Sequence, residues 1–244
     1  KLGGSVLTEK GGPGRIRREN LRMICQEISV HSRDPLLIIH GAGSCGHPEA
    51  HRFRLMDGLT DHNREGVYVT HQAVSKLNSS VVAALRNEGI EAIGMHPLDS
   101  CYAEEGRIVS MECRHIREMV AKGIVPVLHG DVVMDGMRGA TVVSGDQLVS
   151  YLGRALRFRR IGLATDVPGV LAGDTVVQLL TPQNVNQVLI GSSRHTDVTG
   201  GMEGKIRELL ELARSGTPSE IFHVEQTGAF LQGKPHGDTV GRGG

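Results

Sequence analysis

Residues 38–51 read IIHGAGSCGHPEAH, an apolar run that enters a glycine-rich segment with a histidine at its end. Gly41, Gly43 and Gly46 match G-x-G-x-x-G, the pattern of the strand-to-helix turn in dinucleotide-binding domains. Glycines in such a turn let backbone N–H groups approach an anion, and the helix that follows adds partial positive charge. The stretch therefore predicts a strand, a glycine turn and a helix, with the turn as a candidate anion site.

The sequence as a whole matches neither of the two common nucleotide-binding motifs, the dinucleotide fold and the Walker loop. A nicotinamide site needs a second strand that ends in an acidic residue about 20 positions after the glycines. Here residues 52–66 read RFRLMDGLTDHNREG, which is polar and interrupted by glycine. A Walker loop is excluded too, because Lys205 is followed by Ile206 and the glycine spacing before it is wrong.

Apolar strand-like runs alternate with helical patterns along the chain. The strand candidates are Leu36–Ile39, Ile90–Met95, Ile124–Leu128, Arg160–Ala164 and Glu220–Val224. Apolar residues at helical spacing lie between them, at Leu21, Ile24, Cys25 and Ile28 and at Val74, Leu77, Val81 and Leu85. This alternation is typical of crossover helices and parallel strands. We expect an α/β fold, a three-layer α/β/α sandwich around a largely parallel sheet.

Glycines and polar turns set the limits of these elements. Gly89 and Gly123 stand where helix C-caps belong. Val132–Met134 and Thr141–Val143 flank a polar turn that contains glycine, which predicts a hairpin at the sheet edge. Gly173-Asp174 is a candidate turn for a second hairpin.

The composition excludes several classes of protein. Lysine plus arginine and aspartate plus glutamate both total 27, so no charge excess indicates a nucleic acid or membrane partner. The four cysteines form no C-x-x-C pair, which is typical of free thiols in a reducing cytoplasm. No apolar run approaches the roughly 20 residues that span a bilayer. We expect one cytoplasmic domain of 244 residues, with a loose lobe boundary near Gly145.

Four glycine-bearing segments follow strands or precede helices. They are KLGGS (1–5), HGAGSCGH (40–47), SGDQ (144–147) and DVTGGMEGK (197–205). Parallel strands deliver such loops to one edge of a sheet, where the ligands of open α/β sheets bind. Two of the segments carry a lysine, so together they predict a site for several phosphates.

These segments resemble the amino acid kinase superfamily and, within it, the isopentenyl phosphate kinase family. KLGGSVLTEK is similar to the opening strand and loop, and HGAGSCGHP to the phosphoacceptor loop. PVLHGDVV, SGDQL, TDVPGV and DVTGGMEGK follow in the family's order. The resemblance extends from Lys1 to about Lys205 and implies a phosphoacceptor lobe over about 1–144 and a nucleotide lobe over about 145–244.

His47, which closes G-x-G-S-x-G-H, narrows the resemblance. Amino acid and carbamate kinases phosphorylate a carboxylate or carbamate and generally lack this histidine. Isopentenyl phosphate kinases and the related fosfomycin kinases carry it, and both phosphorylate a phosphate or phosphonate. Apolar Val67, Val69 and Val74 downstream favour a slot for a prenyl tail.

The resemblance implies an ATP-dependent kinase that converts isopentenyl phosphate to isopentenyl diphosphate in isoprenoid biosynthesis, by the alternate mevalonate route. ATP is the co-substrate, with Mg²⁺ on its phosphates, and the family is expected to form homodimers. Two alternatives stay open at this point. One is a fosfomycin-type phosphonate kinase, and the other is a non-catalytic nucleotide-sensing module of the same fold.

Roles are carried over residue by residue. The implied catalytic set is Lys1, Lys10, His47, Asp146 and Lys205, in which the lysines stabilise the transferred phosphoryl group and Asp146 orients them. The implied ATP-binding set is Lys1, Gly3, Gly4, Ser5, Gly43, Asp166, Val170, Leu171, Gly201 and Lys205. The implied acceptor set is Ala42, Gly46, His47 and Gly145. No protein side chain is expected to serve as a metal ligand.

Some positions depart from the family pattern. Pro168 replaces a common aspartate and Leu171 a common aromatic residue, which affects the shape of the adenine pocket. Cys45 stands where phenylalanine is common. His47 and His51 are four residues apart, but no third ligand at suitable spacing supports a metal site there.

Plainer interpretations compete with these roles. His47 can be a helix-capping or buried structural residue, Asp146 an acid in the first turn of a helix, and Lys1 a solvated lysine. His40 and His129 end predicted strands, and we expect them to be structural.

Overall fold

The computed structural model describes residues 1–9, 14–30, 35–172, 175–186, 200–234 and 238–241. The chain divides into two compact units, one of Leu2–Leu148 and one of Val149–Gly244 together with Lys1. The assignment of acceptor and nucleotide roles to the two parts of the chain stays a prediction. Among the described residues, none of the helices combines the length and the apolar character needed to cross a membrane.

Over its described residues, the first unit contains seven strands, six complete α-helices and the start of a seventh. The helices are α1 (Gly4–Leu7), α2 (Arg18–Ser29), α3 (Gly43–Arg52), α4 (Arg64–Asn87), α5 (Pro97–Ser100), α6 (Arg114–Ala121) and α7 (Gly145–Leu156). The strands are β1 (Ile38–His40), β2 (Ala92–Gly94), β3 (Cys101–Glu104), β4 (Arg107–Met111), β5 (Val125–His129), β6 (Asp131–Asp135) and β7 (Gly139–Val143).

Two sheets organise this unit. The first is parallel, in the order β1-β5-β2, and pairs His40 with His129 and Gly94 with Val127. The second has the order β4-β3-β6-β7, in which β3 and β6 are parallel and the two outer pairs are antiparallel. Every residue of β1 and β5 is buried, as expected for strands that are covered on both faces.

Helices α2 and α4 form because their apolar residues fall on one face. Leu21, Ile24, Cys25 and Ile28 of α2 are all buried, and so are Val74, Leu77, Val81 and Leu85 of α4. Burial of each such side chain contributes roughly 1.5–3 kcal/mol. Both helices are confirmed, and the cap glycines Gly89 and Gly123 adopt φ of 79° and 76°, which favours glycine.

The second unit has its own sheet. Its elements are β8 (Gly162–Thr165), β9 (Leu171–Ala172), β10 (Thr175–Val176), β11 (Leu179–Leu180), α8 (Gly200–Arg214), β12 (Ser219–His223), α9 (Thr227–Gln232) and β13 (Asp238–Val240). The order is β11-β13-β12-β8, with β12 and β8 parallel. Strands β9 and β10 pair antiparallel, and the turn expected at Gly173-Asp174 lies outside the described residues.

The α/β fold and the five expected strands are confirmed, with ends that shift by one or two residues. The hairpin of β6 and β7 is confirmed as well. The hairpin of β3 and β4 was not predicted from the sequence. Hairpin turns with two positive φ angles usually carry Asn-Gly or Asp-Gly. This turn carries Glu105, with φ of 50°, before Gly106, with φ of 83°, so the usual signal is missing.

The segment after β1 is also more helical than expected. Helix α3 begins at Gly43, so His47 lies inside a helix and not at the end of a loop. The helix can begin there because Gly43 adopts φ of 53°.

Glycine is required where α1 and α3 begin. A Cβ on Gly4 would lie 2.6 Å from the Gly43 nitrogen, and a Cβ on Gly41 would lie 2.7 Å from the Gly4 nitrogen. A Cβ on Gly43 would lie 2.8 Å from the Gly4 carbonyl oxygen and would also collide with Thr8 Oγ1. The two glycine segments of the sequence therefore pack backbone against backbone.

We expect Gly4→Ala to destabilise the protein by about 1–3 kcal/mol, because the neighbouring atoms are backbone and cannot move aside easily. Gly204→Ala in α8 is the control, since a Cβ there meets nothing within 4 Å. That change should be neutral or stabilise by about 0.5–1 kcal/mol. Urea unfolding of both variants measures this, and equal stabilities would contradict the packing argument.

Candidate active site

The carboxyl ends of β1 and β5 place two glycine turns side by side. Gly41 follows His40 and Gly130 follows His129, and the Gly130 nitrogen donates to the His40 carbonyl at 2.9 Å. A Cβ on Gly130 would lie 3.2 Å from the nitrogen of Gly145, the first residue of α7. The turn before α3 and the start of α7 therefore both lie against this edge of the parallel sheet.

The two strand-end histidines hold these turns in place. His40 and His129 are fully buried, and each Nδ1 lies 3.0 Å from the carbonyl oxygen of the glycine that follows it. A carbonyl oxygen only accepts, so Nδ1 carries the proton in both rings. The structural role that was predicted for these two residues is consistent with this geometry.

The acceptor residues of the sequence analysis all lie in this first unit. Ala42 is the N-cap of α3 and is buried, and Gly46 lies one turn into the helix. A Cβ on Gly46 would collide with Val74 of α4, so the helices are in close contact there. His47 is exposed on α3. Gly145 is buried at the start of α7.

Ser44 is a candidate residue that the sequence analysis did not single out. Its backbone nitrogen donates to Thr8 Oγ1 at 3.0 Å. Its own hydroxyl oxygen is buried and has no hydrogen-bond partner among the described residues. A buried polar group of this kind needs a partner, and the N-terminus of α3 favours an anion. The serine between the glycines was the available signal.

The SGDQ motif starts α7 and also supports the hairpin of β3 and β4. Ser144 Oγ caps the helix by accepting from the Gln147 nitrogen at 3.1 Å, and Asp146 is half-buried in the first turn. The Gln147 side chain accepts from the Ile108 nitrogen at 2.6 Å and donates to the Gly106 carbonyl at 3.1 Å. Asp146 was predicted from the sequence to be a site residue, whereas the structural role of Gln147 was not predicted.

The remaining site residues lie in the second unit or at its border. Lys1 runs alongside β8, since its nitrogen donates to the Gly162 carbonyl at 2.6 Å and its carbonyl accepts from the Ala164 nitrogen at 2.9 Å. Asp166 follows the carboxyl end of β8 and is exposed. Lys205 lies in α8 with only 9 % of its surface exposed.

The other nucleotide residues are placed as follows. Val170 is buried, Leu171 is half-buried at the start of β9, and Gly201 is the second residue of α8. In the first unit, Gly3 is the N-cap of α1, and Gly4 and Ser5 form its first turn. Lys10 lies outside the described residues.

The sequence and the fold of the chain are similar to those of known proteins. The model of the amino acid kinase family matches residues 1–223. The chain is 40% identical to isopentenyl phosphate kinase of Methanothermobacter thermautotrophicus, over 93% of this chain and 91% of the relative. It is 38% identical to isopentenyl phosphate kinase of Haloferax volcanii, over 98% and 96%. An X-ray structure of isopentenyl phosphate kinase superposes with a TM-score of 0.86 at 35% identity, over 98% of this chain and 97% of the other.

We expect Gln147→Ala to lower the free energy of unfolding by about 1–3 kcal/mol, because the Ile108 amide and the Gly106 carbonyl lose their partner. The amide of Ile108 should also exchange with solvent faster. Gln26→Ala, at an exposed position of α2, is the matched control and should stay within about 0.5 kcal/mol of wild type. An unchanged Ile108 exchange rate in the Gln147 variant would show that this support is unimportant.

Proposed function

Because the chain belongs to the amino acid kinase family and, within it, to the isopentenyl phosphate kinases, we propose that it transfers the γ-phosphoryl group of ATP to isopentenyl phosphate. The products are isopentenyl diphosphate and ADP, and the reaction belongs to isoprenoid biosynthesis. The observation that carries the proposal is the identity of 40% over more than nine-tenths of both chains.

The chemistry asks for cations and alignment. A phosphate monoester is already ionised near pH 7, so no general base is needed to create the nucleophile. Two anions must instead be brought together, and catalysis consists mainly of charge neutralisation and positioning. We assign this task to Lys1, Lys10 and Lys205, with the half-buried Asp146 carboxylate orienting the cations.

We place the accepting phosphate at the N-terminus of α3. Ala42, Gly46 and Gly145 offer backbone there without obstructing side chains, and His47 donates to a phosphate oxygen that does not attack. The buried Ser44 hydroxyl supports this placement, because a phosphate oxygen would give it the partner that it lacks among the described residues. The contact of Gly46 with Val74 supports a prenyl tail that runs along α4, where Val67 and Val69 are half-buried.

ATP is assigned to the residues that the family pattern marks, namely Gly3, Gly4, Ser5, Gly43, Asp166, Val170, Leu171 and Gly201 together with Lys1 and Lys205. Mg²⁺ enters with the ATP phosphates and needs few protein ligands, which fits a site built from glycine backbone and lysine. When bound, the ion neutralises phosphate charge. A cytoplasmic homodimer in the alternate mevalonate route completes the proposal, with family membership as its support.

A coupled assay of ADP release tests the substrate directly. Isopentenyl phosphate, fosfomycin and acidic amino acids are compared at matched concentrations, with Mg²⁺ present. Turnover should be largest by far with isopentenyl phosphate. Preference for fosfomycin would indicate a phosphonate kinase, and ATP binding without turnover on any acceptor would indicate a sensing module.

Lys205→Ala should lower kcat by about 100- to 1,000-fold and raise KM for ATP much less, because its charge acts mainly in the transition state. Lys205→Met keeps the buried stem without the charge, so it should lose as much activity with less loss of stability. Lys122→Ala, an exposed lysine after α6, is the control. Near-normal turnover in a folded Lys205 variant would remove this residue from the mechanism.

His47→Ala should reduce kcat/KM for isopentenyl phosphate about 10- to 150-fold, the equivalent of roughly 1.5–3 kcal/mol for a hydrogen bond to a charged group. His47→Gln should recover part of the loss, because Gln still donates, and ATP binding should barely change. His51→Ala, one turn further along α3, is the matched control. A His47→Ala protein with a lower Tm but undiminished kcat/KM would instead show a structural role.

A further inference from the structure

Three imidazoles and one carboxylate gather in the first unit, outside the residues assigned to the reaction. This cluster consists of His71 on α4, His96 between β2 and α5, His129 at the end of β5 and Asp131 at the start of β6. His129 and Asp131 are fully buried, whereas His71 and His96 are half-buried. The members come from three separate elements and one connecting segment, so only the fold brings them together.

The atoms that could bind a metal ion lie close together in three members of the cluster. His96 Nδ1 lies 2.8 Å from His129 Nε2. One donor atom each from His96, His129 and Asp131 lie within 4.8 Å of one another. Two imidazoles and a carboxylate at such distances form a donor set that zinc and related ions use in proteins.

The surroundings orient these donors as metal ligands are usually oriented. The Nδ1–H of His129 donates a hydrogen bond to the Gly130 carbonyl oxygen, which leaves a lone pair on Nε2. Burial and the neighbouring His40 lower the pKa of His129 to about 3, so this lone pair is free of a proton at neutral pH. Burial also lowers the pKa of His96.

The carboxylate is held just as firmly. Asp131 accepts from His71 Nδ1 at 3.1 Å, from the Leu98 nitrogen at 3.3 Å and from the Val132 nitrogen at 2.9 Å. None of these three donors carries a permanent positive charge. Burial raises the pKa of Asp131 to about 6, because a carboxylate without a strong cationic partner is less stable in its charged form when it is removed from water.

We propose that His96, His129 and Asp131 form a binding site for a divalent transition-metal ion, with Zn²⁺ the best match to the donor set. His71 orients the carboxylate through the hydrogen bond from its Nδ1, and water takes the fourth position of a tetrahedral ion. Without metal, the His96 Nδ1 proton is shared with His129 Nε2. On binding, His96 carries its proton on Nε2 instead, so both rings stay neutral.

The two histidine nitrogens need only a small change in separation to share one ion. Two imidazole nitrogens on one tetrahedral zinc are about 3.3 Å apart, given bond lengths of about 2.0–2.1 Å. The separation of 2.8 Å must therefore increase by roughly half an ångström. His96 is the ring that can move, because it is half-buried and lies in a connecting segment. The same exposure gives the ion a way in.

This proposal does not rest on the proposed kinase activity. The Mg²⁺ that accompanies ATP prefers oxygen ligands and keeps much of its water, whereas the cluster offers two imidazole nitrogens. The bound ion would connect the segment after β2 to β5 and β6. It would thereby stabilise the sheet edge that carries the turns at Gly41 and Gly130.

The test uses the full untagged chain after treatment with chelator, in the absence of nucleotide. Co²⁺ is titrated and followed by its visible absorption, Zn²⁺ competes for the site, and Tm is measured with and without Zn²⁺. We expect one ion per chain, the intense visible bands of tetrahedral cobalt, a higher Tm with Zn²⁺ and no displacement by Mg²⁺.

Two variants locate the ion. His96→Ala removes the half-buried ligand, and His129→Asn keeps a donor for the Gly130 carbonyl but removes Nε2. Each should weaken binding by more than the roughly 10- to 100-fold that loss of an outer partner costs. His51→Ala, which disrupts the alternative pair with His47, should bind as wild type does. Far-UV circular dichroism establishes that each variant is folded.

Several results would overturn the proposal. They are the absence of stoichiometric binding to the wild-type chain, wild-type affinity in a folded His96 or His129 variant, loss of binding in His51→Ala, and a thiolate-to-cobalt band that places the ion on cysteine. In the first case, the cluster is a hydrogen-bond network that needs no ion.

Discussion

The contact between the backbones at Gly4 and Gly43 is the constraint on which the first unit depends. Thr8 reinforces it, because its hydroxyl donates to the Gly4 carbonyl at 2.8 Å and accepts from the Ser44 nitrogen at 3.0 Å. Leu2 pairs with β1 just before this contact, through hydrogen bonds to Ile39 and Gly41. The first residues of the chain thereby fix where α3 begins and which groups its N-terminus presents.

Much of the fold is local in origin and could be predicted from the sequence. The buried faces of α2 and α4 follow from helical spacing, and the strands from apolar runs bounded by glycine. The hairpin of β3 and β4 could not be predicted, because its stability comes from distant residues. Asp135 accepts from the Gly106 nitrogen at 2.7 Å, and Gln147 holds Gly106 and Ile108 from the start of α7.

The candidate site divides in the same way. The glycine segments and His47 could be proposed as site residues because their types and order carry the family pattern. The amino acid kinase membership itself is confirmed by the comparisons. Ser44 could not be predicted, because a serine indicates a site only when its hydroxyl is buried without a partner among the described residues. His71, His96 and Asp131 are scattered along the sequence, and no spacing rule connects them.

The hairpin of β3 and β4 has a consequence for self-association of the protein. Strand β4 is an outer strand in the sheet order β4-β3-β6-β7, and its register against β3 shifts between Tyr102 and Ala103. Exposed outer strands can recruit strands of other molecules and seed aggregates. We therefore expect the irregular register and the exposed Arg107 to make β4 a poor template for such pairing, although apolar Val109 beside them is exposed.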